Sequence, residues 1–226
     1  LNAAPYSKGW GTMSVDPAFV SEFKSGDTRR SASIIDWEAE GITSLAAFGD
    51  TYRDQREYTG YTIKKYSPLC YADGTSASKE DGSGDFQLSN HQDYVIMRYA
   101  DVLLMAAELG SPKAQEYFDE VRKRAYTSEG TLSANYSQLP VTKENIMQER
   151  RLEFAFESIN YWDLLRQGVD YAASKLALSE KQVYSGGIVD FITISADRIR
   201  TTKGLSQIPY NQITLSNGTL VQNAGW

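Results

Sequence analysis

The sequence is short of the residues on which much catalytic and metal chemistry depends. It has one cysteine, Cys70, and one histidine, His91. A lone cysteine makes no internal disulfide, and one residue of each kind leaves no Cys/His set with metal-ligand spacing, so no metal site is expected. A site needing two histidines is excluded. A Ser-His-Asp arrangement through His91 has no nucleophile elbow to support it, and His91 reads as a polar residue just ahead of a helix. Positive charge is also in deficit: 23 Lys and Arg stand against 29 Asp and Glu, for a net charge of −6. With no basic stripe, nucleic acid is excluded as a partner. No apolar run is long enough to span a membrane, and no signal peptide is present. The opening LNAAPYSKGWG lacks an initiator Met, which reads as a processed or partial chain with a targeting segment upstream.

What is present is enough chain for one large domain or two small ones, and for a sizeable core: 226 residues. The 15 Tyr and 4 Trp supply aromatics with a polar tip, the kind favoured at recognition surfaces. Asp16 and Pro17 are placed to cap and open a short helix that ends at Gly26 and buries Phe19, Val20 and Phe23. A strand is expected around Ser33–Trp37 and another at Tyr61–Tyr66. The chain from Gly41 to Asn90 is otherwise irregular, with a loop composition at Ala72–Asp85. The stretch from Tyr94 has apolar residues at helical spacing and stops at Gly110. Pro112 opens a second helix, so Tyr94–Ala125 is expected to form an antiparallel helical hairpin. Ala114 and Phe118 fit the Ala-x3-Phe part of a tetratricopeptide pattern. Thr142 can cap a third helix running towards Gly168, with an interruption at Ser158–Asn160. The last stretch, IPYNQITLSNGTLVQNAGW, reads as extended segments and turns.

Within the third helix lies QERRLEFAFE (Gln148–Glu157). Three- and four-residue spacings put Arg150, Glu153 and Glu157 on one face, with Glu149 at its edge. Glu153 and Glu157 as an acid–base pair would both stand on one helix wall, with nothing across a substrate from them. A solvated charged face conflicts with the interleaved Leu152, Phe154 and Phe156. The reading adopted is a partly buried structural ion network of Arg150, Glu153 and Glu157, for which the planar guanidinium fork is suited. No catalytic residue is assigned.

Taken together, RYADVLLMAAE (Arg98–Glu108), VRKRA (Val121–Ala125) and ERRLEFAFESINYWDLLRQG (Glu149–Gly168) resemble the signature segments of the SusD/RagB family. GDTRR after a short helix resembles that family's Gly-Asp-x-Arg-Arg. The ending IPYNQI…LVQNAGW resembles its Ile-Pro close and Gln-Asn-x-Gly-aromatic terminus. The family commonly has Glu-Gly after the Glu-Arg helix, where this chain has Glu157-Ser158. Its members are about twice as long. The resemblance therefore implies the C-terminal half of such a protein over residues 1–226, with the N-terminal helical-repeat half absent. It implies a mainly α fold of tetratricopeptide-like hairpins with long irregular loops and a few short strands. It further implies a non-catalytic lipoprotein of the Bacteroidetes outer membrane, exposed at the surface and anchored by a lipid on an upstream segment rather than on Cys70. Such a protein captures a glycan or peptide and passes it to a SusC-like TonB-dependent transporter. No cofactor is implied. The partners are the transporter, an oligosaccharide and the missing half.

Sugars stack their C–H faces on aromatic rings, and irregular segments carry binding residues. Trp37, Tyr52, Tyr58, Tyr61 and Tyr71 are accordingly the candidate glycan-binding residues, while Trp10 and Trp162 are read as structural. Two other functions remain open at this point. One is a polysaccharide hydrolase drawing carboxylates from Asp36, Asp50, Asp73 or Glu80. The other is a helical-repeat adaptor that binds protein.

Overall fold

In the computed structural model, residues 5–6, 14–42, 59–71, 93–185 and 188–226 are described, residues 180–192 by their backbone alone. The chain divides into two compact units, Leu1–Glu157 with Tyr184–Ile188, and Ser158–Val183 with Val189–Trp226.

The first unit begins its regular structure where Asp16 Oδ1 accepts a hydrogen bond from the Ala18 amide at 2.7 Å and Pro17 supplies the first helical position. Helix α1 (Pro17–Val20) is only one turn long, shorter than expected, and the chain reaches Gly26 through turns. Val20 and Phe23 are buried with Val15, Ile34, Leu152 and Ala155, and Phe19, Tyr61 and Phe156 pack against this cluster. Gly26 has φ +87°, and a Cβ there would lie 2.4 Å from Ser133 Oγ, so the first residue of GDTRR must be glycine for both reasons. Helix α2 (Arg29–Ser33) runs into strand β1 (Ile34–Asp36). Strand β1 pairs antiparallel with β2 (Tyr61–Ile63), with Ile35 opposite Thr62. Both strands are shorter than expected.

Helices α3 (Tyr99–Glu108) and α4 (Ala114–Ala125) pack against each other as the hairpin, punctuated by Gly110 at φ +75°. The helix starts at Tyr99 rather than Tyr94; Arg98 at φ −140° is extended and turned towards the ion network described below. Ala100, Leu103, Leu104 and Ala107 form the buried stripe of α3, and Phe118 is fully buried on α4. A two-residue ribbon, β3 (Thr127–Ser128) with β4 (Thr131–Leu132), leads to α5 (Lys143–Glu153), which packs on α3. Thr142 caps α5 by accepting from the Asn145 amide at 3.2 Å.

The expected third helix stops at Glu153, because Phe156 (φ +66°) and Ser158 (φ +64°) are both left-handed and no α-helix continues through such residues. Ser158 thus holds a glycine-type conformation with a Cβ in place. Ser158→Gly is expected to stabilise the protein by about 0.5–1 kcal/mol: the relief of about 1–2 kcal/mol of left-handed strain exceeds the entropy that glycine loses on folding. Thermal melts of the two proteins check this, and an unchanged or lower midpoint refutes it.

In the second unit, α6 (Asn160–Arg166) packs on α7 (Val169–Leu176), and α7 on α8 (Ala196–Thr202). Strands β5 (Leu178–Ser185) and β6 (Ile188–Ile194) pair as a two-stranded sheet. The terminal region is not all extended: α9 (Tyr210–Leu215) starts directly after Pro209. The tail is pinned by side-chain amides that act as backbone. Gln222 Oε1 accepts from the Ile208 amide at 2.8 Å while its Nε2 donates to the Ile208 carbonyl at 2.9 Å, and Asn223 Nδ2 donates to the Ser206 carbonyl at 2.7 Å. Trp226 Nε1 donates to the Leu205 carbonyl at 2.9 Å, and its ring lies 4.1 Å beneath the Arg198 guanidinium. The described residues are mainly helical with short paired strands.

Candidate functional site

The charged residues of α5 lie at the centre of a network drawn from four separate segments of the first unit. Asp27 Oδ1 accepts from the Arg29 amide at 3.1 Å, which starts α2, and both Asp27 oxygens grip the Arg29 guanidinium, at 2.9 and 2.7 Å. Arg29 Nη1 then donates to Glu149 at 2.6 Å and to Glu153 at 3.2 Å. Glu149 accepts its second cation, Arg122 of α4, at 3.0 Å. Arg98, just ahead of α3, joins Glu153 to Glu157: it donates to the Glu153 carboxylate, to the Glu153 carbonyl at 2.6 Å and to Glu157 Oε2 at 2.9 Å. Lys65 donates to Glu157 at 2.5 Å, and Arg124 to Glu153.

The environment decides the protonation states. Burial pushes the Glu153 carboxyl up, but Arg98, Arg124 and Arg29 outweigh it and hold the group below the ordinary glutamate range. Burial pulls the Lys65 ammonium down, only partly offset by Glu157. Arg29 is raised: its burial is outweighed by Asp27, Glu149 and Glu153. Glu153 is an ionised anchor, with neither the exposure nor the raised pKa of a general acid.

Arg150 is buried, and its Nη1 donates to Asp101 of α3 at 2.6 Å. The three residues singled out from the sequence are therefore not one cluster of their own. Arg98 bridges the two glutamates, while Arg150 lies across the Phe154 ring, 5.1 Å from its centroid, with Arg98 at 4.4 Å. Sequence reasoning missed Asp27, Arg29, Lys65, Arg98, Arg122 and Arg124. The signals available were the Gly-Asp-x-Arg-Arg run and the arginine just ahead of the α3 apolar pattern. Neither says which carboxylate it will meet.

Of this network, Arg29, Lys65, Arg98, Arg124, Glu153 and Glu157 wall a cleft of about 480 Å³ in this unit. Its sides come from α2, the segment after β2, Asp93–Arg98, the end of α4 and the end of α5.

The aromatic candidates separate. Trp37 is only 1% exposed, and its Nε1 donates to Thr62 Oγ1 at 2.8 Å. Its assignment to glycan binding is corrected: an indole enclosed in the core presents no face to a sugar. Tyr61 is half-buried against the cluster around Val15 and Ile34. Tyr71 is 54% exposed, beside Cys70, whose amide donates to the Pro5 carbonyl at 2.8 Å. Tyr52 and Tyr58 lie outside the described residues, as do Trp10, His91, Asp50, Asp73 and Glu80. Trp162, read as structural, is 63% exposed on α6, so it is no part of the core of its unit. Asp36 is engaged by Arg30 at 2.6 Å. Among the described residues no group of three or more His, Cys, Asp or Glu side chains is arranged to hold a metal ion, and no helix is long and apolar enough to cross a membrane.

A curated relative, SusD-like protein P2 of Formosa agariphila, is 26% identical over 173 residues, covering 71% of this chain and 32% of its own. Two solved structures are similar over almost the whole chain. Surface glycan-binding protein A from Bacteroides thetaiotaomicron, in complex with laminarihexaose, is 28% identical with a TM-score of 0.73, covering 97% of this chain and 43% of its own. Surface glycan-binding protein A from Bacteroides fluxus is 30% identical with a TM-score of 0.67, covering 99% and 43%. The chain thus spans about a third of the curated relative and about two-fifths of the solved ones. The sequence profile of the SusD family matches residues 2–226, and the chain belongs to that family.

Proposed function

We propose that this chain is part of a surface protein that binds oligosaccharide without cleaving it and passes it to a SusC-like TonB-dependent transporter. The observation that carries the reading is the family membership together with the likeness to a glycan-binding protein whose structure holds laminarihexaose. The protein acts at the outer membrane, anchored by a lipid on an upstream segment. The charge network supports a binding role: Glu153 and Glu157 serve arginine and lysine side chains, and Glu153 is held ionised by its cations.

Contact with the glycan falls to Tyr71, with Tyr52 and Tyr58 from the same irregular region. Stacking contributes about 0.5–1.5 kcal/mol per ring beyond area burial. Affinity is therefore expected between micromolar and millimolar, about −8 to −4 kcal/mol, which suits capture and release. The test is calorimetry of the full-length protein against a glycan panel that includes laminarihexaose, followed by alanine at each of the three tyrosines. A loss of threefold or more in affinity in at least one variant is expected. If a ligand binds and no variant weakens it, these residues are not the site. If the glycan emerges shortened, the protein is a hydrolase.

The reading extends to architecture. Helix α3 is apolar on both sides. Opposite its buried stripe, Tyr99, Val102 and Leu109 are exposed, and Ile96 and Met97 are exposed just before the helix begins. A helix with an apolar stripe on each of two faces has a second face to bury. The second face is assigned to the N-terminal helical half of the full-length protein.

A further inference from the structure

The second unit carries a surface turn whose reactive groups are left free. Asn217 is followed by Gly218, the one Asn-Gly pair in the sequence. The pair joins α9 to the tail and lies at positive φ, +51° for Asn217 and +83° for Gly218, a conformation that asparagine tolerates and glycine adopts freely. Both residues are exposed. Among the described residues the Asn217 side chain makes no hydrogen bond and the Gly218 amide donates to no acceptor. A Cβ at Gly218 would meet nothing within 4 Å, so its nitrogen is open to approach. The turn is closed at the surface: the Asn217 amide donates to the Thr214 carbonyl at 3.2 Å, the Thr219 amide to the Ser216 carbonyl at 3.1 Å and the Leu220 amide to Ser216 Oγ at 2.9 Å. Other asparagines of this unit are better guarded. Asn223 Nδ2 is committed to the Ser206 carbonyl. Asn160 and Asn211 lie in α6 and α9, and the Gln212 amide after Asn211 donates to the Pro209 carbonyl at 2.9 Å.

We propose that Asn217 is a site of spontaneous covalent modification, deamidation through a cyclic imide formed with Gly218. The Gly218 nitrogen, on losing its proton, attacks Cγ of the Asn217 side chain. The new C–N bond closes a succinimide ring, and the side-chain nitrogen takes up a proton and leaves as ammonia. Water then opens the ring. Attack at one carbonyl gives aspartate; attack at the other gives isoaspartate, whose main chain runs through the former side chain. Nothing is oxidised or reduced, and the net change is ammonia lost and water gained. Glycine sets no side chain against the approaching carbon and turns easily to the backbone angles that the ring needs. The left-handed turn must open first, and exposed turns with few buried contacts are among the least costly segments to open. Each event puts a carboxylate where a neutral amide stood. The isoaspartyl product also lengthens the main chain within the turn that leads to the Gln222 clamp on Ile208. None of the residues assigned to glycan contact takes part, so the inference stands apart from that reading.

The experiment is incubation of the folded full-length protein at pH 7 and at pH 9 for several weeks, followed by tryptic mapping with mass spectrometry. The tryptic fragment beginning at Gly204 is expected to gain the mass difference between water and ammonia, and fragmentation is expected to place the gain at residue 217. Modification is expected to be at least threefold faster at pH 9, because the nitrogen attacks without its proton. Isoaspartate is expected beside aspartate, detected by methyl transfer from a protein isoaspartyl methyltransferase. Asn217→Gln is expected to abolish both the mass gain and the methyl acceptance, since its longer side chain closes the ring far more slowly. Its melt is expected to match the parent, which separates a lost reactive group from a lost fold. The folded protein is expected to modify within about tenfold of the rate of the chain unfolded in denaturant, as an easily opened turn should. A folded protein that stays unmodified while the unfolded chain reacts overturns the proposal, because the turn then protects the pair. A gain placed at Asn211 or Asn223 instead, a rate indifferent to pH, or aspartate without isoaspartate overturns it as well.

Discussion

Arg29→Ala is expected to destabilise the protein by about 3–5 kcal/mol, the cost of breaking a buried ion pair and leaving its partners uncompensated. The magnitude is high because the side chain serves three carboxylates at once. It grips both oxygens of Asp27 and reaches Glu149 and Glu153 through one nitrogen. Those carboxylates are themselves buried, so water does not replace the lost donors. For a chain of this size the midpoint should fall by roughly 10 °C.

The pH dependence gives a second signature. The folded pKa of Glu153 is held below its unfolded value, so the unfolded chain binds more protons on the acid side. The network's contribution is therefore complete at neutral pH and is lost as the pH falls from the ordinary glutamate range through the depressed folded value. With Arg29 gone, one of the cations holding Glu153 ionised is removed, and the acid-side loss should begin at higher pH than in the parent. Melts from pH 7 to pH 3 measure both effects. A variant that melts within a degree or two of the parent with the same acid limb would show that the network is not what holds α2 to α5.

The isolated 226-residue chain is expected to bind a hydrophobic dye strongly and to self-associate, while the full-length protein does neither. The cause is the second apolar face of α3 and the segment before it, where Ile96 is 83% and Leu109 87% exposed. Contiguous apolar patches beyond a few hundred Å² are uncommon on soluble monomers and mark a surface with a partner. Covering an exposed Leu or Ile is favourable by about 1.5–3 kcal/mol per side chain. Ile96, Met97, Tyr99, Val102 and Leu109 exposed in one region make the difference between the two forms large. Replacing Ile96 and Leu109 by Lys should suppress the dye signal of the isolated chain and, if the proposed N-terminal half covers these positions, should destabilise the full-length protein. Suppression without destabilisation would mean that the N-terminal half does not sit on this face. A monodisperse, dye-silent parent chain would remove the need for any cover.

Some of the architecture is local in origin, and the sequence alone determined it. Pro17 after Asp16, Thr142 ahead of α5 and Gly110 after α3 act through hydrogen bonds and φ preferences that involve only neighbouring residues. The hairpin of α3 and α4 follows from apolar spacing and a short connection, and the family followed from several motifs in a fixed order. The length of the strands and the break after Glu153 were less legible. Whether Phe156 and Ser158 adopt positive φ depends on what the next segment packs against rather than on their own preference, which opposes it.

Tertiary structure alone decided the roles of the side chains. Composition shows that Trp37 lies among loop aromatics; only the pairing of β1 with β2 encloses it and puts its N–H on Thr62. Helical spacing puts Arg150, Glu153 and Glu157 on one face, but the partners lie 29 to 124 residues away in sequence: Asp101 for Arg150, and Arg124, Arg98 and Arg29 for Glu153. A carboxylate's function is set by which cations are brought within about 3 Å of it and by whether water is excluded. Both are properties of packed segments distant in sequence, and no local pattern encodes them.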